Sequence, residues 1–108
     1  MTRRLVLAPE EARRVSRDIR YRAAKASTQV PDPLWRARSA CAAVEPSTFF
    51  PDAEGRPDAA LAMCQKCSVA GHCLAAALTT AEPEGVWGGT TPEERRRMRV
   101  VWTGRWRA

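Results

Sequence analysis

Four cysteines in a short chain constrain this sequence more than any other feature. The chain has 108 residues, and three of its cysteines, Cys64, Cys67 and Cys73, fall within ten positions, while Cys41 lies upstream. A domain of this size buries a thin apolar core, and such domains commonly rely on a metal, a disulfide or a partner for stability. The chain has only two Phe and one Tyr beside four Trp, and its middle is rich in alanine. We therefore expect the cysteines to staple the fold.

The cellular compartment decides what such cysteines do. No segment has the length of a signal peptide's apolar region or of a membrane span, since the apolar run at 5–8 is far too short. We therefore expect a cytoplasmic protein with no membrane association. In reducing surroundings, paired cysteines more often bind a metal or act in redox chemistry than form structural disulfides.

The net charge of +6 is concentrated at the two ends of the chain. Residues 1–27 carry eight Lys or Arg against three Asp or Glu, and residues 92–108 carry six against two. Between them, residues 28–91 carry four against seven. Basic ends suit nucleic-acid phosphates or an acidic protein surface. A solvated helix face explains the same charge equally well.

Helical periodicity predicts an all-α fold, a small domain of about four helices, because no run of residues alternates with the period of a strand. Pro9 opens the first predicted helix, which ends near Ala26 and carries an apolar stripe at positions 12, 15, 19 and 23. A short helix is predicted at about 33–43. A loop rich in proline follows at 45–57.

Capping residues locate the remaining helices. Asp58 is the predicted N-cap of a helix that places Cys64 and Cys67 on one face. Another helix is predicted from about 69 to 80. The T-P-E-E sequence at 91–94 is a capping box with proline at the first helical position, and it predicts a last helix that ends near position 102.

Four thiolates can close a tetrahedral zinc site or hold an iron–sulfur cluster. A structural zinc usually shows two tight cysteine pairs, and here only Cys64 and Cys67 form one. A redox C-x-x-C motif normally lies in a βαβ setting, which this sequence lacks. His72 is expected to be a surface residue and not a ligand. On spacing alone, a cluster and a structural zinc DNA-binding module are equally supported, and a thiol–disulfide oxidoreductase comes third.

The order of the motifs resembles that of the WhiB-like proteins of actinobacteria and their phages. The cysteine pattern is followed by Gly-Val-Trp-Gly-Gly at 85–89 and by an arginine-rich helix. The stretches FFP at 49–51, CLAAAL at 73–78 and TPEERRRM at 91–98 are also similar to that family. The resemblance covers about residues 35–99. The cysteine spacing and the glycine-rich turn are specific in combination, whereas neither is specific alone.

This resemblance implies an iron–sulfur transcription factor and not an enzyme. In the family, four cysteines hold a [4Fe–4S] cluster, and they correspond here to Cys41, Cys64, Cys67 and Cys73. The implied partners are the C-terminal domain of the primary sigma factor of RNA polymerase and promoter DNA. The helical domain would then be organised around the cluster, in a protein that is monomeric outside the complex. Clusters of several members react with nitric oxide or oxygen, so a redox or nitric-oxide response is a hypothesis here.

Two groups of residues are candidates for the partner contacts. The sigma-contacting candidates are the turn and two aromatic residues that would cover the cluster: Gly85, Val86, Trp87, Gly88, Gly89, Phe49 and Phe50. The alternative for these aromatic side chains is an ordinary core position, which we expect for Trp35. The DNA-contacting candidates are the arginines of the C-terminal segment: Arg95, Arg96, Arg97, Arg99, Arg105 and Arg107. Arginine contacts to phosphate would give salt-dependent binding with little sequence information.

The chain is expected to contain three segments. Residues 1–32 would form a basic N-terminal helix and linker, residues 33–91 the cluster-binding domain with its turn, and residues 92–108 a basic C-terminal helix and tail. Two positions depart from the family pattern: Ser68 stands where proline is frequent, and Trp106 follows Gly-Arg where an AT-hook would have proline. The sequence does not indicate the regulated genes, activation or repression, base specificity, or the role of the basic extension.

Overall fold

The computed structural model describes residues 5–42, 44, 46–50 and 57–104, and every structural statement below concerns these ranges. Five α-helices lie within them: α1 Pro9–Arg17, α2 Ile19–Ser27, α3 Asp58–Gln65, α4 Ala70–Thr80 and α5 Pro92–Trp102. Two short 3-10 turns, Trp35–Arg38 and Pro46–Phe49, lie between α2 and α3. The described ranges contain no strand beyond a single isolated bridge between Trp87 and Thr90. The all-α prediction is confirmed, with five helices instead of about four.

Asp18 divides the N-terminal segment into two helices, so the prediction of one helix from Pro9 to Ala26 is wrong. The Asp18 backbone is extended (φ −63°, ψ 126°), and its carboxylate accepts a hydrogen bond from the Arg20 backbone N–H at 2.9 Å. Aspartate favours such N-cap positions because its side chain satisfies a free backbone donor. The break also changes the buried face, since Ile19 is 80% exposed while Tyr21 is buried.

The segment at 33–43 does not form the predicted helix. A 3-10 turn spans Trp35–Arg38, and it ends because Ser39 takes an extended conformation (φ −71°, ψ 142°). The region then continues as turns towards Cys41. This irregular backbone brings Cys41 to the site without a helix to carry it.

Helix α3 begins and ends slightly earlier than predicted. Pro57 occupies the N-cap position, and Asp58 is the first helical residue. The helix ends at Gln65, so Cys67 lies in the turn before α4 and not on the helical face that carries Cys64. Cys64 and Cys67 were predicted to share one helical face, but Cys64 is in α3 and Cys67 lies beyond the end of that helix.

The C-terminal helix matches its prediction. Thr91 accepts at its hydroxyl from the Glu94 backbone N–H at 3.3 Å, and the Glu94 carboxylate accepts from the Thr91 backbone N–H at 3.0 Å. This reciprocal pair is a capping box, with Pro92 at the first helical position.

One apolar core joins the two ends of the chain. Its buried side chains come from α1, α2, α4, α5 and the segment before α1: Leu7, Val15, Tyr21, Ala24, Leu74, Leu78, Met98 and Val100. Helix α2 packs most extensively against α4. A Cβ at Gly71 would lie 2.7 Å from the Ala23 carbonyl oxygen, so glycine permits this close approach. Residues from all three expected segments thus share one core.

A second, smaller cluster lies around the cysteines. Phe49, Ala60 and Val86 are buried there, and the half-buried Cys41 and Cys64 pack against them. No helix in the described ranges combines the length and apolar character needed to cross a membrane.

Candidate metal centre

The fold brings the four predicted cysteines together. All four are half-buried free thiols. Cys41 comes from the irregular segment after the first 3-10 turn, Cys64 from the end of α3, Cys67 from the following turn and Cys73 from α4. The four cysteines lie close enough to interact electrostatically. Burial is the main cause that raises the pKa of the Cys73 thiol, and Cys64, Cys41 and Cys67 each raise it further.

A cavity of about 280 Å³ lies against three of these thiols. Cys41, Cys64 and Cys73 line it, together with an apolar wall. That wall is made by five large side chains: Trp35, Phe49, Phe50, Val86 and Trp87. We call this space the thiol cavity. Its walls place apolar side chains beside three of the thiols.

Burial favours the protonated form of two of these thiols, Cys64 and Cys73. It is the largest cause that raises the pKa of Cys73, to about 12, and it also raises the pKa of Cys64. A coordinated metal reverses this preference, because its positive charge stabilises the thiolate and releases the proton. The raised pKa values of Cys64 and Cys73 are the opposite of what a free reactive thiol shows.

Backbone N–H groups are directed at the cysteine sulfurs. The N–H groups of Gly88 and Gly89 act on Cys64 and lower its pKa, which partly offsets the effect of burial. The Gly88 N–H acts in the same way on Cys73, and the Ala40 N–H donates to the Cys67 sulfur at 3.4 Å. Sequence patterns had indicated the glycine-rich turn as a partner surface, but not as a source of donors to the thiols.

The glycine-rich turn owes its shape to positive φ angles and close packing. Gly88 (φ 55°) and Gly89 (φ 80°) both adopt the left-handed conformation that glycine tolerates without a steric penalty. A Cβ at Gly88 would lie 2.6 Å from both the Ala70 carbonyl oxygen and the Leu74 Cβ. Any side chain there would push the turn away from α4, and with it the donors to the sulfurs.

The predicted sigma-contacting residues divide by exposure. Phe49 and Val86 are buried, at 8% and 5% exposed, and the Val86 N–H donates to the Phe49 carbonyl at 2.7 Å. Phe50 is 51% exposed. Trp87 is half-buried, and its indole N–H donates to the Glu84 carbonyl at 3.0 Å. The aromatic surface at the thiol cavity is therefore presented by Phe50 and Trp87.

Arg95 is not the surface residue that the sequence suggested, and this placement is corrected. Its side chain is 3% exposed, and its guanidinium donates to the carbonyl oxygens of Glu84 at 2.9 Å and Thr90 at 3.0 Å. Arg95 lies three positions before the buried Met98, on the inner face of α5. The three-residue spacing of Arg95 and Met98 was a signal in the sequence that they share a helical face. The neighbouring arginines made Arg95 look like part of an exposed basic run. Arg95 is thus unavailable to a phosphate.

The other C-terminal arginines have different environments. Arg96 and Arg97 are exposed, and Arg97 forms an ion pair with Glu93 at 3.2 Å. Arg99 is half-buried and donates to the Leu78 carbonyl at 3.0 Å. Arg105 and Arg107, also predicted to contact DNA, lie outside the described residues.

Three further side chains have defined positions. A ring nitrogen of His72 lies 2.8 Å from the Val30 carbonyl oxygen. The imidazole is therefore hydrogen-bonded to the backbone of the segment after α2. Trp35 is half-buried and stacks under the Arg36 guanidinium at 4.6 Å, so it is not the core residue predicted. Trp102 packs edge-on against Tyr21 at 5.9 Å, within its own chain.

The spacing of the thiols bears on the kind of metal group they suit. Among the described residues, no three His, Cys, Asp or Glu side chains converge as ligands of a single metal ion. A structural zinc takes all four ligands on one ion, whereas a cluster takes one thiolate at each of four separate irons. Four cysteines with nearby backbone N–H groups form a donor set that fits either group.

The fold and this site define a small helical domain built around a four-cysteine centre. The family model of the transcription factor WhiB matches residues 35–98, and the chain belongs to the WhiB family. The first 34 residues lie outside that match.

Curated relatives agree with this assignment. The transcriptional regulator WhiB of Streptomyces coelicolor is 40% identical over 65 residues, which cover 60% of this chain and 75% of that protein. The transcriptional regulator WhiB2 of Mycolicibacterium smegmatis is 42% identical over 65 residues, but they cover 50% of its length. WhiB2 of Mycobacterium tuberculosis is 40% identical over 65 residues, or 73% of its length. The names of all three describe regulators of transcription and not enzymes.

Proposed function

We propose that this chain is a transcription regulator that holds a [4Fe–4S] cluster through Cys41, Cys64, Cys67 and Cys73. The observation that carries the proposal is the grouping of four half-buried thiols beside a glycine-rich turn whose N–H groups act on two of them, Cys64 and Cys73. Such N–H donors and exclusion of water are the protein's means of stabilising a cluster. When bound, the cluster supplies a redox-active centre.

The chain's own residues hold and shield this centre. A bond from Cys41 to the cluster would connect the irregular segment after the first 3-10 turn to α3 and α4. Loss of that bond would release the segment. Phe49 and Val86 fill the space beside the thiols and exclude water. Gly88 and Gly89 supply donors from the turn.

A partner completes the cover over the thiol cavity. Phe50 and Trp87 present aromatic surface at its rim, and the exposed Arg36 lies 5.9 Å from the centre of the Trp87 ring. Aromatic residues and arginine are enriched in protein interfaces. The proposed occupant is the C-terminal domain of the primary sigma factor, as the family resemblance implies. Its binding would slow the access of small gases to the cluster.

DNA binding is assigned to the exposed arginines of α5. Arg96 and Arg97 project from the surface, and the proposal extends to Arg99 and to Arg105 and Arg107 in the tail. Contacts of this kind go to phosphates, so the affinity is expected to fall steeply with salt and to carry little base specificity.

Burial argues against the alternative of a thiol–disulfide oxidoreductase. A reactive C-x-x-C thiol has a lowered pKa and is accessible to its substrate. Burial instead raises the pKa of Cys64. Insulin reduction that is lost in Cys64→Ser but retained in Cys41→Ser would support the oxidoreductase.

Anaerobic purification tests the proposed cluster. We expect a coloured protein with a broad visible absorption band and four irons per chain on reconstitution, as a four-cysteine cubane requires. Each Cys→Ser variant should lose that band. A colourless protein that contains one zinc, even after anaerobic reconstitution, would identify a structural zinc module instead.

A further inference from the structure

Arg20 connects the N-terminal extension to the glycine-rich turn. Its guanidinium donates to the Gly89 carbonyl at 2.8 Å and pairs with the Glu94 carboxylate at 2.8 Å. The same side chain makes two bonds to Asp18, at 3.0 Å and 2.6 Å. Asp18 also caps α2, so the residue that begins the helix holds the Arg20 side chain in position. One side chain thus joins α2, the turn and α5.

Gly89 lies between Arg20 and Cys64. Its carbonyl accepts from Arg20, and its backbone N–H acts on Cys64 by lowering the pKa of that thiol. A Cβ on Gly89 would lie 3.6 Å from the Arg20 Cδ and 3.7 Å from the Cys64 Cβ. Glycine has wide backbone freedom, so its conformation must be held by bonds from outside. The bond from Arg20 restrains the turn directly beside a thiol.

The charge of Arg20 is already balanced. Two carboxylates, those of Asp18 and Glu94, face its guanidinium. Its positive charge is offset by theirs, and its direct contact with the turn is the hydrogen bond to the Gly89 carbonyl.

Helix α2 also lines a space beside the cysteine pair. A cavity of about 500 Å³ is bounded by Cys64 and Cys67 on one side and by Ile19, Arg20 and Ala23 of α2 on another. It is a different space from the thiol cavity, which does not include α2. The extension therefore forms a wall near the C-x-x-C pair, outside the region that the family model matches.

We infer that Arg20 is a positioning residue for the four-cysteine centre, and that the N-terminal extension uses it to hold the backbone of Gly89 beside Cys64. This inference rests on the proposed function. It gives the basic extension a role in setting the stability and potential of the cluster, independent of nucleic-acid contacts.

Three variants of the full-length reconstituted protein test this role. Arg20→Ala removes the restraint, and Arg20→Lys keeps the charge but loses the planar fork that reaches several acceptors. Arg22→Ala is the matched control, since Arg22 is an exposed arginine of the same helix. The measurements are the rate of cluster loss with a chelator, the midpoint potential, and hydrogen exchange of the peptide that contains residues 82–91.

We expect Arg20→Ala to lose its cluster on the order of 10-fold faster than wild type, as is common for groups that orient metal ligands. Its midpoint potential should become more negative, because hydrogen bonds to sulfur raise the potential of a cluster. Exchange should rise in the turn but not in α4. Arg20→Lys should fall between wild type and Arg20→Ala, and Arg22→Ala should match wild type.

The outcomes separate this inference from the proposed function. The inference about Arg20 is overturned if Arg20→Ala or Arg20→Lys keeps both the midpoint potential and the hydrogen exchange of the turn at wild-type values. This holds even if the variant is less stable to unfolding. If Arg20→Ala does not fold, Arg20→Lys decides by the same two measurements. If wild type holds no cluster, the proposed function fails, and hydrogen exchange of the turn still decides whether Arg20 restrains Gly89.

Discussion

The buried guanidinium of Arg95 donates to the Thr90 carbonyl oxygen at 3.0 Å, and it holds one end of the glycine-rich turn against α5. A further bond to the Glu84 carbonyl at 2.9 Å reaches the other end of the turn. Arg20 holds the same turn from the N-terminal side through Gly89. The loop that supplies N–H donors to the thiols is thus restrained by two arginines from opposite ends of the chain.

Arg95→Ala should destabilise the protein strongly. The substitution leaves buried carbonyl groups without donors and opens a space in the core, which should cost about 3 kcal/mol in the free energy of unfolding. Arg96→Ala is the control on the same helix, because Arg96 is exposed, and it should change stability by less than about 0.5 kcal/mol. Denaturant unfolding of the two variants compares them. Equal stability of both would contradict the structural role of Arg95.

Gly88→Ala should displace the turn and reduce the cluster content. Its Cβ would lie 2.6 Å from the Ala70 carbonyl oxygen, in a backbone conformation with φ of 55°. Gly104 provides a control, since it also has a positive φ, of 68°, but a Cβ there would meet nothing within 4 Å. Gly104→Ala should therefore retain its iron. Iron and sulfide analysis after identical reconstitution measures the difference, and equal content would show that α4 yields to the added methyl group.

Trp87→Ala should weaken binding of the sigma-factor C-terminal domain while leaving most of the cluster in place. Trp87 is half-buried at the rim of the thiol cavity, and none of the four cysteines depends on its side chain for a hydrogen bond in the described structure. Phe50→Ala, at the same rim, should act in the same direction. Co-purification with the sigma domain, together with the absorption of the bound protein, measures both effects. Unchanged binding would make Trp87 a packing residue.

Arg96→Ala and Arg97→Ala should each weaken DNA binding and reduce its salt dependence. Removing one phosphate contact lowers the slope of log affinity against log salt by about 1. Arg13→Ala is a suitable control, because Arg13 is exposed on α1. Fluorescence anisotropy at several salt concentrations gives the slopes. A control that lost as much slope as the α5 variants would place the DNA surface on the N-terminal segment.

The ion pair of Asp18 with Arg20 should make stability depend on pH in the acid range. The hydrogen bond from Arg20 is the main cause that lowers the pKa of Asp18 below 3.8 in the folded protein. A lowered folded pKa means that the stabilisation is present above the unfolded pKa of about 3.9 and is lost as pH falls through the folded value. Glu94 contributes in the same direction, because bonds from Arg20 and Thr91 outweigh burial and lower its pKa.

Asp18→Asn should therefore lose stability near neutral pH and show a smaller further loss on acidification than wild type. Unfolding midpoints measured from pH 6 to below pH 4 for both proteins test this, since any acid effect on the metal centre is common to the two. Parallel pH profiles would show that Asp18 does not couple to folding.

The sequence by itself determined the features that are local patterns. These are the positions of the cysteines, the capping box at 91–94 and the glycines of the turn. Such features depend on residues within a few positions of one another, so their preferred backbone conformations follow from the residue types. The membership in the WhiB family rests on the same short-range order of motifs.

The tertiary structure decided which polar side chains serve the site. Arg20 and Gly89 are 69 positions apart, and no local pattern links them. Arg95 shares its sequence neighbourhood with exposed arginines, and it is buried because Glu84 and Thr90 offer it carbonyl oxygens. The physical reason is that a buried guanidinium is stable only where distant backbone groups satisfy its donors, and chain folding alone brings those groups together.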